Sequence, residues 1–166
     1  MSTGVDRAAT ERERERLRGL YLVEPARRAH STARGVHHIA LMCTDVERTI
    51  RFYQSLLGFP LVEIFENRDY QGSTHLFFDI GLDNTLAFFD FPGLDLGPYA
   101  EVVGGLHHLA ISVDQSTWDA ARANLAEAGV ETHIDSEISL YFRDPDGVRL
   151  ELIAEQLGSL YGTPLH

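Results

Sequence analysis

Cysteine is nearly absent: Cys43 is the only one among 166 residues, which excludes an internal disulfide and gives no sign of an oxidising compartment. Set in an apolar run, it reads as a small buried hydrophobe rather than a reactive thiol. Positive charge is scarce too, with 14 Lys and Arg against 25 Asp and Glu, for a formal charge of −11 and a pI near 5.0. Binding nucleic acid or an anionic bilayer requires a basic face that releases counterions, so neither is an expected partner. No apolar run reaches the roughly 20 residues of a membrane helix. The N-terminus is polar and lacks the apolar stretch of a secretion signal, so a cytoplasmic protein is expected. What is present is 44% hydrophobic residues, enough for one well-cored domain or two small fused modules.

Residues 1–34 differ in character from the rest. ATERERERLRGLYL alternates acid and base, which predicts a solvated helix to about Gly19, broken by Pro25. Leu17, Leu20, Tyr21 and Leu22 form only a small apolar cluster, so this segment reads as an appended, surface-lying arm. Residues 157–166 read as a short C-terminal tail.

Between these ends the chain repeats itself. GVHHIALMCTD starts at Gly35 and GLHHLAISVD at Gly105, seventy residues apart, with the glycine, both histidines and the alanine in register. After the first copy, Asp45 is placed to cap a helix whose apolar face is Val46, Ile50, Tyr53 and Leu57, with Gly58 as its stop. Three strands follow, LVEIFE, STHLFFDI and TLAFFDF, the last two joined by a turn at Gly81–Asn84. After the second copy come a helix from Ser116 presenting Trp118, Ala121, Leu125 and Ala128, then the strands VETHI, SLYFR and VRLELIA. The expectation is an α+β fold of two βαβββ modules, residues 35–92 and 105–156, whose sheets face a shared concavity.

Strand alternation assigns directions. Leu109, Ile111 and Val113 belong against a helix with His107, which leaves His108, Ala110 and Ser112 on the concave side. The same parity sends Ile39 and Leu41 to a helix and leaves His38, Ala40 and Met42 concave; His37 and His107 then start their strands as rim residues bonded to backbone. In VRLELIA, Leu150 and Leu152 claim the helix side, so Glu151 points into the cavity. A buried carboxylate needs a cation, and two histidines with one carboxylate make the facial triad of a divalent metal. His38, His108 and Glu151 are the expected ligands.

HHIALMCTDVERTIRFYQSLLGF, GLHHLAISV and SLYFRDPDGVRLEL resemble the vicinal oxygen chelate superfamily, which groups glyoxalases, extradiol dioxygenases, fosfomycin-modifying enzymes and bleomycin-binding proteins. The resemblance spans Gly35 to Gln156. It implies paired βαβββ modules in a U-shaped half-barrel sheet, with the metal on the first and last strands, again His38, His108 and Glu151. A fourth ligand, where the superfamily has one, comes from the last strand of the first module. Aligning TLAFF on VRLEL puts Phe88 there, which departs from the glyoxalase I and epimerase pattern. Ala40 replaces the threonine of fosfomycin transferases, and LIAEQLGSLYG after Glu151 has no lysine or arginine to anchor that antibiotic. Extradiol dioxygenases place a catalytic tyrosine ten residues before the glutamate ligand, where Tyr141 stands, and a histidine nearby, for which His133 and His75 are candidates. Alternate members of Phe77, Phe78, Phe88 and Phe89 would suit a planar apolar substrate. The resemblance therefore implies a homodimeric enzyme for a small molecule, with Fe(II) favoured for dioxygenase chemistry and Mn2+, Zn2+ or Ni2+ for isomerase or lyase chemistry. A metal-free antibiotic-binding protein is the non-catalytic alternative.

Overall fold

The computed structural model describes Gly4 and residues 6–165. The extreme ends of the expected arm and tail (residues 1–3, 5 and 166) lie outside the described residues. The arm forms helix α1 (Arg7–Tyr21), capped by Asp6 through Ala9 N, and it buries none of its residues. A single 3-10 turn follows at Pro25–Arg27.

Two modules of the same order follow. The first is β1 (His38–Met42), α2 (Val46–Ile50), β2 (Leu61–Glu66), β3 (Thr74–Asp79) and β4 (Thr85–Phe89). The second is β5 (Leu109–Ser112), α3 (Gln115–Glu127), β6 (Thr132–Asp135), β7 (Ser139–Arg143) and β8 (Arg149–Ile153). A small ribbon, β9 (Ser159–Leu160) with β10 (Thr163–Pro164), closes the chain. The sheets run β1-β4-β3-β2 and β5-β8-β7-β6, and in each the first strand lies parallel to the last. The fold is α+β, two four-stranded open sheets built from βαβββ modules. No helix among the described residues is long and apolar enough to cross a membrane.

Both helices start as the side chains dictate, Asp45 accepting from Arg48 N and Asp114 from Thr117 N. The expected face of the first helix is only partly α-helical. From Arg51 to Leu56 the backbone is π-helical, with Leu57 N bonded to Phe52 O. The wider turn lets the adjacent Phe52 and Tyr53 both bury, where an α-helix would rotate one outward. In α3, Trp118, Ala121 and Leu125 are buried as expected, but Ala128 is exposed, because the helix has ended and Gly129 already has φ +72°. At the β3–β4 turn, Leu82 and Asp83 both take positive φ, the twist a tight hairpin requires.

The helix-facing sides of the two sheets meet in one core that includes Tyr53, Phe78, Phe88, Trp118, Leu125, Leu150 and Leu152. Across the joint, Phe52 packs on Phe142 at 6.1 Å and the Tyr53 hydroxyl donates to Asp144 Oδ2 at 3.0 Å. Asn124 donates to the Leu56 carbonyl. Each sheet keeps its helix-free face outside this core.

Candidate metal centre

The alternation expected along the strands is present. Ile39 and Leu41 turn to the core while His38, Ala40 and Met42 are exposed, and Leu109 and Ile111 are buried while Ala110 is exposed. On the second sheet the register sets Ala110, Glu151, Tyr141 and His133 in one row across β5, β8, β7 and β6. His108 lies two residues before Ala110 on the same face, and its Nε2 is 3.2 Å from Glu151 Oε2.

Glu151 is 1% exposed, and its Oε1 has no hydrogen-bond partner. With Oε2 already facing His108, an unsatisfied carboxylate oxygen at that depth costs about 1–3 kcal/mol on the usual scale. A divalent ion beside Oε1 and His108 Nε2 would satisfy it, so this donor pair fits a metal. Tyr141 lies edge-on to His108 at 5.6 Å. Burial, and then the Glu151 carboxylate, push its phenol up to about 12, so it keeps its proton at neutral pH and donates hydrogen bonds.

His107 and His37 are not bonded to backbone as expected. Each contacts its neighbour histidine through Nδ1, at 2.7 Å to His108 and 2.9 Å to His38. Arg149 Nη1 lies 3.3 Å from His107 Nε2, and arginine can only donate. Glu101 Oε2 lies 3.8 Å from the same nitrogen, so His107 Nε2 stands between a donor and an acceptor, and the direction of the His107–His108 contact follows from its tautomer. A metal ion at His108 Nε2 would require the His108 proton on Nδ1, with His107 Nδ1 accepting it.

His38 does not join this pair within one chain. Among the described residues no three His, Cys, Asp or Glu side chains form a group able to hold an ion. The concavity, about 780 Å³, is lined by second-module residues alone, including His107, His133, Tyr141, Arg143 and Arg149. The expected shared cavity is thus corrected: the common core holds the helix sides together and leaves the two open faces apart.

On its own face His38 keeps aromatic company. His75 stacks on Phe89 at 3.8 Å and leans on Phe77 at 4.2 Å, and Phe77 lies edge-on to His38 at 6.2 Å. Burial, then His38 and Arg68, lower the His75 pKa, and its Nε2 is buried without a partner. Phe77 and Phe89 are the open-face members of the aromatic set, whereas Phe78 and Phe88 are fully buried in the core. This corrects the strand alignment by one residue. Ala40 pairs with Ala87 as Ala110 pairs with Glu151, so the counterpart of Glu151 is Ala87, which also cannot coordinate.

Sequence reading missed Arg149 and Arg143. The parity that turned Glu151 inward applies equally two residues before it and two after Tyr141, and it places both arginines on the open face.

Two open sheets of duplicated βαβββ modules, with a histidine opening the first strand of one and immediately preceding the first strand of the other, define a scaffold of the glyoxalase and dioxygenase type. The chain belongs to the Glyoxalase/Bleomycin resistance protein/Dioxygenase superfamily, whose model matches residues 35–152. It is 31% identical to Bacillus subtilis YwkD over 125 residues, 72% of this chain and 95% of that protein. It is 26% identical over 140 residues to the B. subtilis protein named "Putative ring-cleaving dioxygenase MhqA", covering 79% of this chain but only 43% of that one. Haemophilus influenzae lactoylglutathione lyase is 30% identical over 124 residues, 70% of this chain and 89% of its own. Among solved structures, a glyoxylase/bleomycin resistance protein/dioxygenase domain from Frankia sp. EAN1pec shares the fold, with a TM-score of 0.65 at 22% identity over 75% of this chain and all of that one. Divalent metal is typical of the superfamily, as in Listeria monocytogenes FosX solved with Mn(II) (TM-score 0.56, 22% identity, 76% and 96% covered).

Proposed function

We propose that this chain is a metal-dependent dioxygenase of the extradiol type, acting on a small aromatic substrate with vicinal oxygens. The observation that carries the reading is the buried Glu151 with one oxygen orphaned and the other 3.2 Å from His108, beside a protonated Tyr141. His108 and Glu151 would hold the ion, and His38 of a second copy would complete the triad in a homodimer, since one chain cannot bring its own His38 there. Fe(II), the favoured ion, would supply open coordination positions to two vicinal oxygens and to dioxygen. Tyr141 donates a hydrogen bond to a substrate oxygen, and His133, beside it across the strand pair, is placed to take or return a proton. Phe77, Phe89 and His75 give the apposed face an aromatic wall for a planar ring.

The similarity to MhqA supports ring cleavage. The similarity to lactoylglutathione lyase supports a second reading, isomerase or lyase chemistry with Mn2+, Zn2+ or Ni2+, against which Ala87 stands where such enzymes are expected to have a fourth ligand. Protein purified without oxygen should carry about one divalent ion per site. His108→Ala and Glu151→Ala should lose it. Iron-loaded enzyme should take up oxygen with members of a catechol panel. Bound metal without uptake across the panel moves the assignment to the lyase reading, and metal retained by both variants ends it.

A further inference from the structure

Arg149 on β8 and Arg143 on β7 are direct cross-strand partners. Like charges set opposite one another destabilise a sheet unless an anion lies between them. Here the anion is internal. Glu101, on the linker between the modules, places Oε1 2.6 Å from Arg149 Nη2 and 3.7 Å from Arg143 Nη2. The linker is seated for this by Tyr99, whose hydroxyl donates to the Leu106 carbonyl at 2.6 Å and whose ring lies under the Arg143 guanidinium. Both arginines line the concavity that also holds Tyr141 and His133, and Arg149 touches His107, the neighbour of His108. Glu131 and Asp135 line it as well, and neither forms an ion pair with the arginines. A chain with net charge −11 has thus set two cations on the open face beside the candidate metal ligands.

We propose that Arg149 and Arg143 bind a carboxylate carried by the substrate, and that Glu101 occupies this anion site until the substrate carboxylate displaces it. The guanidinium fork matches a planar carboxylate, and a glutamate already held there shows that the pocket accepts one. The substrate class is then an aromatic acid bearing vicinal oxygens, with its ring beside Tyr141 and its acid group toward the linker. This rests on the reading of the open face as the substrate side, but not on the metal.

The test uses full-length protein stripped of metal by chelation, titrated calorimetrically with phenylacetate and its uncharged isostere phenylacetamide. The acid should bind at millimolar concentration and about tenfold more tightly than the amide, the scale of one charge-assisted hydrogen-bond pair. Arg149→Met should abolish that preference. Glu101→Gln should strengthen acid binding several-fold, a gain that general loss of structure cannot produce, so it carries the test if Arg149→Met fails to fold. Equal binding of acid and amide, no binding of either, or no gain in Glu101→Gln overturns the anion site. Repeating the titration with the 3,4-dihydroxy pair on metal-loaded protein tests the metal separately: if the hydroxyls add no affinity there, the metal reading fails while the anion site stands.

Discussion

Asp144 joins the two modules with one carboxyl group. Its Oδ1 accepts from Asp146 N and Val148 N, which shapes the DPDG turn, and its Oδ2 accepts the Tyr53 hydroxyl from the other module's helix. Burial raises the Asp144 pKa, an effect these hydrogen bonds only partly offset. Tyr53→Phe removes one donor to a buried acid and should cost about 1–3 kcal/mol, read as a lower urea midpoint. The pH dependence has a definite sign. A pKa raised in the folded state gives stability that is complete below the unfolded value, about 3.9, and is lost as pH rises through the folded value. Asp144→Asn should therefore cost more near about pH 4 than at neutrality. A penalty that is flat or grows with pH would show that folding does not raise the Asp144 pKa. The same depth governs Cys43, whose thiol burial pushes up to about 11, leaving it an inert core residue, as its apolar setting in the sequence implied.

At the scale of elements, alternation carried most of the information. One period of two placed His38, His108 and Glu151 on helix-free faces, because the flanking leucines and isoleucines had to bury. It failed at β4, where TLAFF has its one polar residue, Thr85, at the strand's start and is apolar at the four positions after it, so nothing inside the strand marks its register. Only the pairing with β1 shows that Ala87, and not Phe88, is the counterpart of Glu151. The π-helical segment was equally hidden, since the spacing of Val46, Ile50, Tyr53 and Leu57 suits an α-helix and the demand to bury Phe52 comes from Phe142 in the other module. The turn of the ribbon β9–β10 is braced by Glu155. Glu155 accepts from Ser159 Oγ, Tyr161 N and Gly162 N, and the Gly162 and Ser159 bonds are the main reason its pKa lies below the usual range. A depressed pKa gives support that is present above the unfolded value, about 4.3, and lost as pH falls through the folded one. The Gly162 amide resonance should accordingly titrate with an apparent pKa below about 4.3. In Glu155→Gln that titration should vanish and the ribbon amides should exchange faster. An unchanged Gly162 titration in the variant would remove Glu155 from this role.

The arrangement of the whole molecule is where sequence reading reaches its limit. The repeat shows that two modules exist, but their relative placement is decided by contacts far apart in the chain, such as Phe52 with Phe142 and Thr44 and Arg48 with Asp146. Those contacts fuse the helix sides into one core and separate His38 from His108 and Glu151. The open face of the first sheet is left with Met42 58% exposed and Phe65 40% exposed beside the stacked His75 and Phe89. Under the proposed triad, the surface bearing His38 and the surface bearing His108 and Glu151 would have to meet between two copies. This makes a complementation experiment decisive. His38→Ala and Glu151→Ala should each bind no metal alone. Refolded together as an equal mixture, they pair at random, half the dimers are mixed, and each mixed dimer holds one site with all three ligands intact. About a quarter of the wild-type metal content and oxygen uptake should return, eluting with the dimer on gel filtration. A triad formed inside one chain would give no recovery at any mixing ratio, because neither variant owns a complete set of ligands.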